Sequence, residues 1–311
     1  MTDASPSPAA HHDRDQLTRF LIDGAGVRGV RVHLDDTWRQ IRERAAGFAH
    51  ENASAAALEL LGEAAAAAAL FTGHAKVEGR LSVQLHSQGA LRTLFTECTA
   101  AGTLRGIAQL ADHGDVSRDL RELGEGAVLA ITIENPPIDG REPVRYQGLV
   151  SLQSDSLAGA FEDYFRQSEQ LPTRLLLAVD GQRAAGLMLQ KLPGDQGDDD
   201  GWSRAGALFD TLKPQELLEW PGETLLGRLF HEDGVQLLGS RPLRFACSCS
   251  RERVESMLVS LGEAEALAAV ADGEAKVRCE FCGQTYCFGA DEIVGLLASA
   301  SAELSAPDRL Q

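Results

Sequence analysis

The chain has 311 residues, of which 44% are hydrophobic and 24% charged. That composition supports a packed core and excludes a disordered chain. Lys and Arg total 29 against 46 Asp and Glu, a formal net charge of −17, so the surface repels phosphate backbones and anionic lipids and neither nucleic acid nor membrane is an expected partner.

Residues 1–14 are small, polar and Pro-containing and read as a flexible tail. They lack the basic start and apolar run of an export signal, which points to a reducing, cytoplasmic compartment. Residues 15–193 are expected to form an N-terminal α+β core domain. Gly24-Ala-Gly-Val-Arg-Gly29 matches the dinucleotide spacing G-x-G-x-x-G. The residues after it, Val30-Arg-Val-His-Leu34, alternate like a strand instead of opening a helix, so the segment reads as a turn between strands. Thr37 to His50 and Ser54 to Phe71 read as helices. The second is mostly alanine and carries Glu59 and Glu63, which favours a buried helix over a membrane span. Leu81-Ser-Val-Gln-Leu, Val128 to Glu134 and Tyr146 to Leu152 read as strands, and Ser156 to Gln167 as a helix with Phe161, Tyr164 and Phe165 on its apolar side. Asp180-Gly181 between two apolar runs is a hairpin signal. Strands that follow one another directly favour α+β over a doubly wound sheet.

The run from Pro193 to Gly201, rich in Gly and Asp, marks a boundary. Residues 194–242 are then expected to form a helical linker, with residues 202 to about 240 helical. Pro214 suits a first helical position and Pro221-Gly222 divides the stretch into short helices. Such helices have little stability alone, so Leu217, Leu218, Leu225, Leu226, Leu229 and Phe230 must be ordered by docking.

Residues 243–311 carry five of the six cysteines. Cys247-Ser-Cys249 and Cys279-Glu-Phe-Cys282 are two close pairs, the pattern of a tetrahedral four-thiolate zinc site with one ion per chain in the reduced state. Arg251 to Leu258 reads as a helix with Val254, Met257, Leu258 and Leu261 on one face. Val277 to Cys282 and Thr285 to Phe288 read as a hairpin around Gly283. Arg244, Arg251, Arg253, Lys276 and Arg278 lie close in sequence to the thiolates and are candidates to offset their charge. The plain reading is a purely structural zinc site. Against it stand the unusually tight Cys-x-Cys pair and the closeness of each pair, which permits internal disulfides once metal is lost. Structural zinc contributes on the order of 10–16 kcal/mol in small domains, whereas a core of this size rarely supplies more than about 3–5 kcal/mol. Oxidation of the ligands would then unfold the small domain and expose apolar surface around it, a means of binding unfolded proteins.

Phe245-Ala-Cys-Ser-Cys-Ser-Arg-Glu-Arg253, Gly273, Val277-Arg-Cys-Glu-Phe-Cys-Gly283 and Tyr286-Cys-Phe288 together resemble the bacterial redox-regulated 33 kDa heat-shock chaperonins. Leu81 to Gln84, Gly102 to Ala108 and Leu225 to Glu232 are similar to that family as well. The resemblance implies an ATP-independent holdase, inactive while reduced and zinc-bound, and not an enzyme. It implies zinc held by Cys247, Cys249, Cys279 and Cys282. On oxidation by hypochlorous acid, or by peroxide with heat, it implies the disulfides Cys247–Cys249 and Cys279–Cys282; four cysteines by themselves allow three pairings. It further implies unfolded client proteins, an oxidised homodimer and hand-off to ATP-dependent foldases.

Two positions depart from the family. Cys287 is an additional thiol that reads as a small hairpin residue, with competition for the metal or diversion of a disulfide as the alternative. His86-Ser-Gln-Gly-Ala-Leu91 is poorer in glycine than the family's turn. Cys98 reads as a packed core residue, and His231 as a helix-end residue. Two other functions compete. A zinc-ribbon adaptor with a purely structural site is disfavoured by the charge of −17. A thiol–disulfide oxidoreductase lacks the βαβ context around Cys279-Glu-Phe-Cys282.

Overall fold

The computed structural model describes residues 14–48, 54–124, 126–137, 143–194, 197–270 and 273–305. The expected tail at residues 1–14 lies outside them apart from Arg14. By internal contacts the chain divides into two compact units, Met1–Ala246 and Cys247–Gln311.

The first unit begins with the hairpin β1 (Gln16–Ile22) and β2 (Val27–Leu34), so the G-x-G-x-x-G segment is a turn between strands. Two helices follow, α1 (Asp36–Phe48) and α2 (Ala55–His74). The antiparallel strands β3 (Arg80–His86), β4 (Leu91–Thr99) and β5 (Thr103–Leu110) come next, then β6 (Val128–Asn135) and β7 (Val144–Val150). Helix α3 (Leu157–Tyr164) runs into a π-helical turn at Phe165–Glu169. Hairpin β8 (Thr173–Val179) and β9 (Ala184–Lys191) turns at Asp180-Gly181, where Asp180 Oδ1 accepts from the amides of Gln182 and Arg183 at 2.7 and 2.6 Å. Short helices α4 (Gly201–Phe209), α5 (Pro214–Glu219) and α6 (Gly222–Phe230) lead to strands β10 (Val235–Pro242) and β11 (Arg244–Phe245).

Two sheets result, in the orders β10-β1-β2-β9-β8 and β11-β5-β4-β3-β6-β7. Helix α2 is enclosed between them. Its alanines let both sheets approach: the Thr96 hydroxyl donates to the Ala64 carbonyl at 3.0 Å from one side. On the other, a Cβ at Gly186 would meet Leu70 at 2.5 Å. By length and composition α2 qualifies as a membrane span, but 78% of its apolar window is buried within the fold. A helix apolar all round is a core helix when both faces find partners. Its one buried acid, Glu63, pairs with Arg118.

The second apolar layer lies on the outer face of the five-stranded sheet. There Phe209, Leu217, Leu225 and Phe230 of α4–α6 cover Phe20 and Leu187. Helices of this length are held by such packing and not by propensity. Helix α5 starts at Pro214, and His231 caps the end of α6, both as expected. The helical reading of residues 202 to about 240 stops short. Beyond Gly234, in a left-handed backbone (φ +74°), the chain turns into β10 and pairs antiparallel with β1. An edge of β1 lay open for pairing, and satisfying its backbone groups outweighs the helical preference of Leu237 and Leu238.

The second unit contains α7 (Arg251–Leu261), α8 (Glu263–Ala268), the antiparallel hairpin β12 (Glu274–Arg278) with β13 (Thr285–Gly289), and α9 (Ala290–Ser305). Its buried apolar set is small: Val254, Leu258, Ala266, Ala275, Phe288 and Ile293. The expected apolar face of α7 divides, with Val254 and Leu258 buried and Met257 and Leu261 exposed.

Candidate metal centre

Two local structures present the four thiols. Cys247 and Cys249 lie in the extended chain before α7, which is started by Ser250, whose hydroxyl accepts from the Arg253 amide at 3.3 Å. The Arg253 side chain reaches back to the Ser248 carbonyl and hydroxyl, each at 2.9 Å, and braces the Cys-x-Cys stretch. Cys279 and Cys282 sit on the turn of the β12–β13 hairpin. The Cys279 amide donates to the Gln284 carbonyl and the Gly283 amide to the Cys279 carbonyl, both at 2.8 Å. Gly283 closes this turn with φ +76°, a conformation that costs glycine nothing.

These elements bring the sulfurs of Cys247, Cys249, Cys279 and Cys282 within 4.8 Å of one another. Cys247 Sγ lies 3.6 Å from Cys279 Sγ, and Cys249 Sγ lies 3.3 Å from Cys282 Sγ. A tetrahedral ion with Zn–S bonds near 2.3 Å would set its ligand sulfurs about 3.8 Å apart. The four thiols fit a soft dication of that size. All four are free thiols and partly buried. Burial, reinforced by the neighbouring thiols, pushes Cys282 up to about 12; a bound dication would reverse that preference, because ligation takes the thiolate.

Tyr286 belongs to the same cluster. Its hydroxyl donates to Cys249 Sγ at 3.3 Å, and this contact with its thiol neighbours pushes the phenol up to about 12. Period-two alternation along β13 was the available signal, since it puts Tyr286 and Phe288 on one face and Cys287 on the other. Cys287 is exposed and outside the four-sulfur group. Cys98 is fully buried in the first unit, where burial pushes its thiol up to about 11.

Three of the cations nominated to offset thiolate charge are engaged elsewhere. Arg251 pairs with Glu292 at 2.5 Å and Glu255 at 3.3 Å, and stacks 4.2 Å over the Phe288 ring. Arg253 holds Ser248, and Lys276 pairs with Glu274 at 2.8 Å. Their partners are Glu255 on the same helix, Glu274 on the same strand, Glu292 on α9 and Ser248 in the Cys-x-Cys stretch.

The family profile described as Hsp33 protein matches residues 15–289. The 33 kDa chaperonin of Ectopseudomonas mendocina is 42% identical over 303 residues, 95% of this chain and 99% of that protein. The 33 kDa chaperonin of Azotobacter vinelandii is 42% identical over 294 residues, 92% of this chain and 95% of its own. The crystal structure of the 33 kDa chaperonin (heat shock protein 33 homologue) from Thermotoga maritima shares the fold, with a TM-score of 0.72 over 93% of this chain and 99% of that one, at 21% identity. On the profile match and these identities, the chain belongs to the Hsp33 family.

Proposed function

We propose that the chain is a redox-regulated, ATP-independent chaperone that holds unfolding proteins in the cytoplasm and catalyses no reaction. The observation that carries this reading is the four-sulfur cluster on a small unit in a chain whose relatives are named chaperonins. In the reduced state Cys247, Cys249, Cys279 and Cys282 hold one zinc ion, which supplies a cross-link between the Cys-x-Cys stretch and the hairpin turn. Hypochlorous acid or peroxide takes two electrons from each cysteine pair. The sulfur lone pairs that bound metal are then committed to Cys247–Cys249 and Cys279–Cys282, and the cross-link is lost.

The six apolar residues buried among the described residues of the second unit are too few to keep such a unit folded alone. We assign residues 15–193 to the core domain, 194–242 to a linker and 243–311 to the switch. Helices α4–α6 depend on docking and are the next elements to yield. Their release would bare Phe20 and Leu187 together with their own leucines, an apolar layer suited to unfolded clients. The active form is a homodimer that passes clients to ATP-dependent foldases.

The test is light scattering of a heat-unfolding client, with zinc release followed in parallel. The reading expects suppression by the oxidised, zinc-free protein alone. Equal suppression by reduced and oxidised protein would leave the metal purely structural and favour the adaptor function.

A further inference from the structure

A cavity of about 300 Å³ opens in the first unit, between the end of α2, strands β6 and β7, and the π-helical turn after α3. That size is at the lower end of small-molecule sites. Its walls are apolar and largely aromatic: Phe71, Phe165, Tyr164, Ile131, Ile133 and Leu171. Phe71 and Phe165 meet edge to face at 5.3 Å, and the Tyr146 and Tyr164 hydroxyls meet at 3.1 Å.

Arg28 also lines this cavity. Its Nε donates to Gln190 Oε1 at 3.1 Å, and its Nη2 meets Gln190 and, at 3.2 Å, His74 Nε2. All of these partners are uncharged, because burial and the neighbouring Arg28 hold His74 down at about 3. Nη1 has no hydrogen bond, and Arg28 no carboxylate partner, among the described residues. Arg19 adds a second positive charge nearby, and Lys76 a third at the cavity itself. Glu169, the one acid on the lining, forms no ion pair with either Arg28 or Lys76. In a chain of net charge −17, a half-buried cation left without a counterion is an anion's place.

The backbone is shaped around the same spot. Phe165–Glu169 forms a π-helical turn, and Gln170 after it adopts φ +54°, uncommon for a residue with a side chain. Such turns and left-handed residues recur at ligand sites.

We propose that this cavity binds a medium-chain alkanoate, its carboxylate on the Arg28 guanidinium and its chain along Phe71, Phe165 and Ile131. Charge and apolar length are both required. The guanidinium fork matches a carboxylate, while the walls reward only an apolar body. At ~30 Å³ per small group, the cavity accepts a chain of about eight carbons. The site is built wholly from first-unit residues and does not rest on the redox reading.

The test uses the full-length reduced protein and three probes: octanoate, 1-octanol and acetate. Calorimetry should show saturable one-to-one octanoate binding, with octanol and acetate each at least about tenfold weaker. Methyl resonances of Ile131 and Ile133 should shift with the same saturation curve. Arg28→Gln should weaken octanoate at least about tenfold and leave octanol unchanged. If Arg28→Gln fails to fold, the octanoate-to-octanol ratio on the natural chain decides. Octanol binding as tightly as octanoate, or no shift at Ile131 and Ile133 at saturating octanoate, would overturn the proposal.

Discussion

The two units of this chain solve the same folding problem with different means. The first surrounds an alanine-rich helix with two sheets and buries residues such as Ala64 to Leu70 completely. The second buries six apolar residues among those described and gathers four thiols within 4.8 Å. Apolar burial does not respond to oxidants, whereas thiolate ligation does. On the proposed function, the response to oxidants therefore starts in the unit with the smaller core.

The largest effect that sharpens this contrast is loss of a ligand. Cys279→Ser should lose the metal and leave the second unit unfolded, a change on the order of 10 kcal/mol in its apparent stability. The first unit should keep its melting transition. Zinc content and calorimetry check this together, and normal zinc affinity in the variant would remove Cys279 from the ligand set. The converse is Phe161→Ala, which cuts into the first core where Phe161 packs 4.9 Å from Phe71. It should cost about 3–5 kcal/mol of first-unit stability and leave zinc affinity unchanged by competitive chelation.

Next in size is a pH effect at Glu63. Burial raises its carboxyl from 4.5 to about 7, against the opposing pull of Arg118. The fold thus holds this proton more tightly than the unfolded chain. First-unit stability should fall by up to ~3 kcal/mol as pH rises through that interval and level off above it. Denaturant melts between pH 4 and 8 read the slope, and Glu63→Gln should flatten it. The smallest effect belongs to Tyr286→Phe. Losing the hydroxyl bond to Cys249 should weaken zinc binding by roughly 10-fold or somewhat more, as neighbours of metal ligands usually do. An unchanged affinity would make Tyr286 a packing residue only.

Much of this was readable from the chain. Paired cysteines carry their own spacing rule, and Asp180-Gly181 carries its turn chemistry, because both signals are local. Strand β10 was not readable, since Val235 to Pro242 becomes a strand only because β1 offers an edge. The pairing of Arg251 with Glu292 was not readable for a related reason: it joins α7 to α9, 41 residues apart, and no local spacing marks it. The setting of Arg28 and His74 was invisible, because their neighbours come from α2, β9 and the segment after α3.

On the proposed function, oxidation unfolds the second unit while the first unit's core persists. Amide hydrogen exchange on one sample, before and after treatment with hypochlorous acid, reads both units at once. Helix α7 and the β12–β13 hairpin should lose protection, α4–α6 should follow, and α2 and β3–β6 should keep theirs. Full protection of β12–β13 in the oxidised, metal-free protein would contradict it.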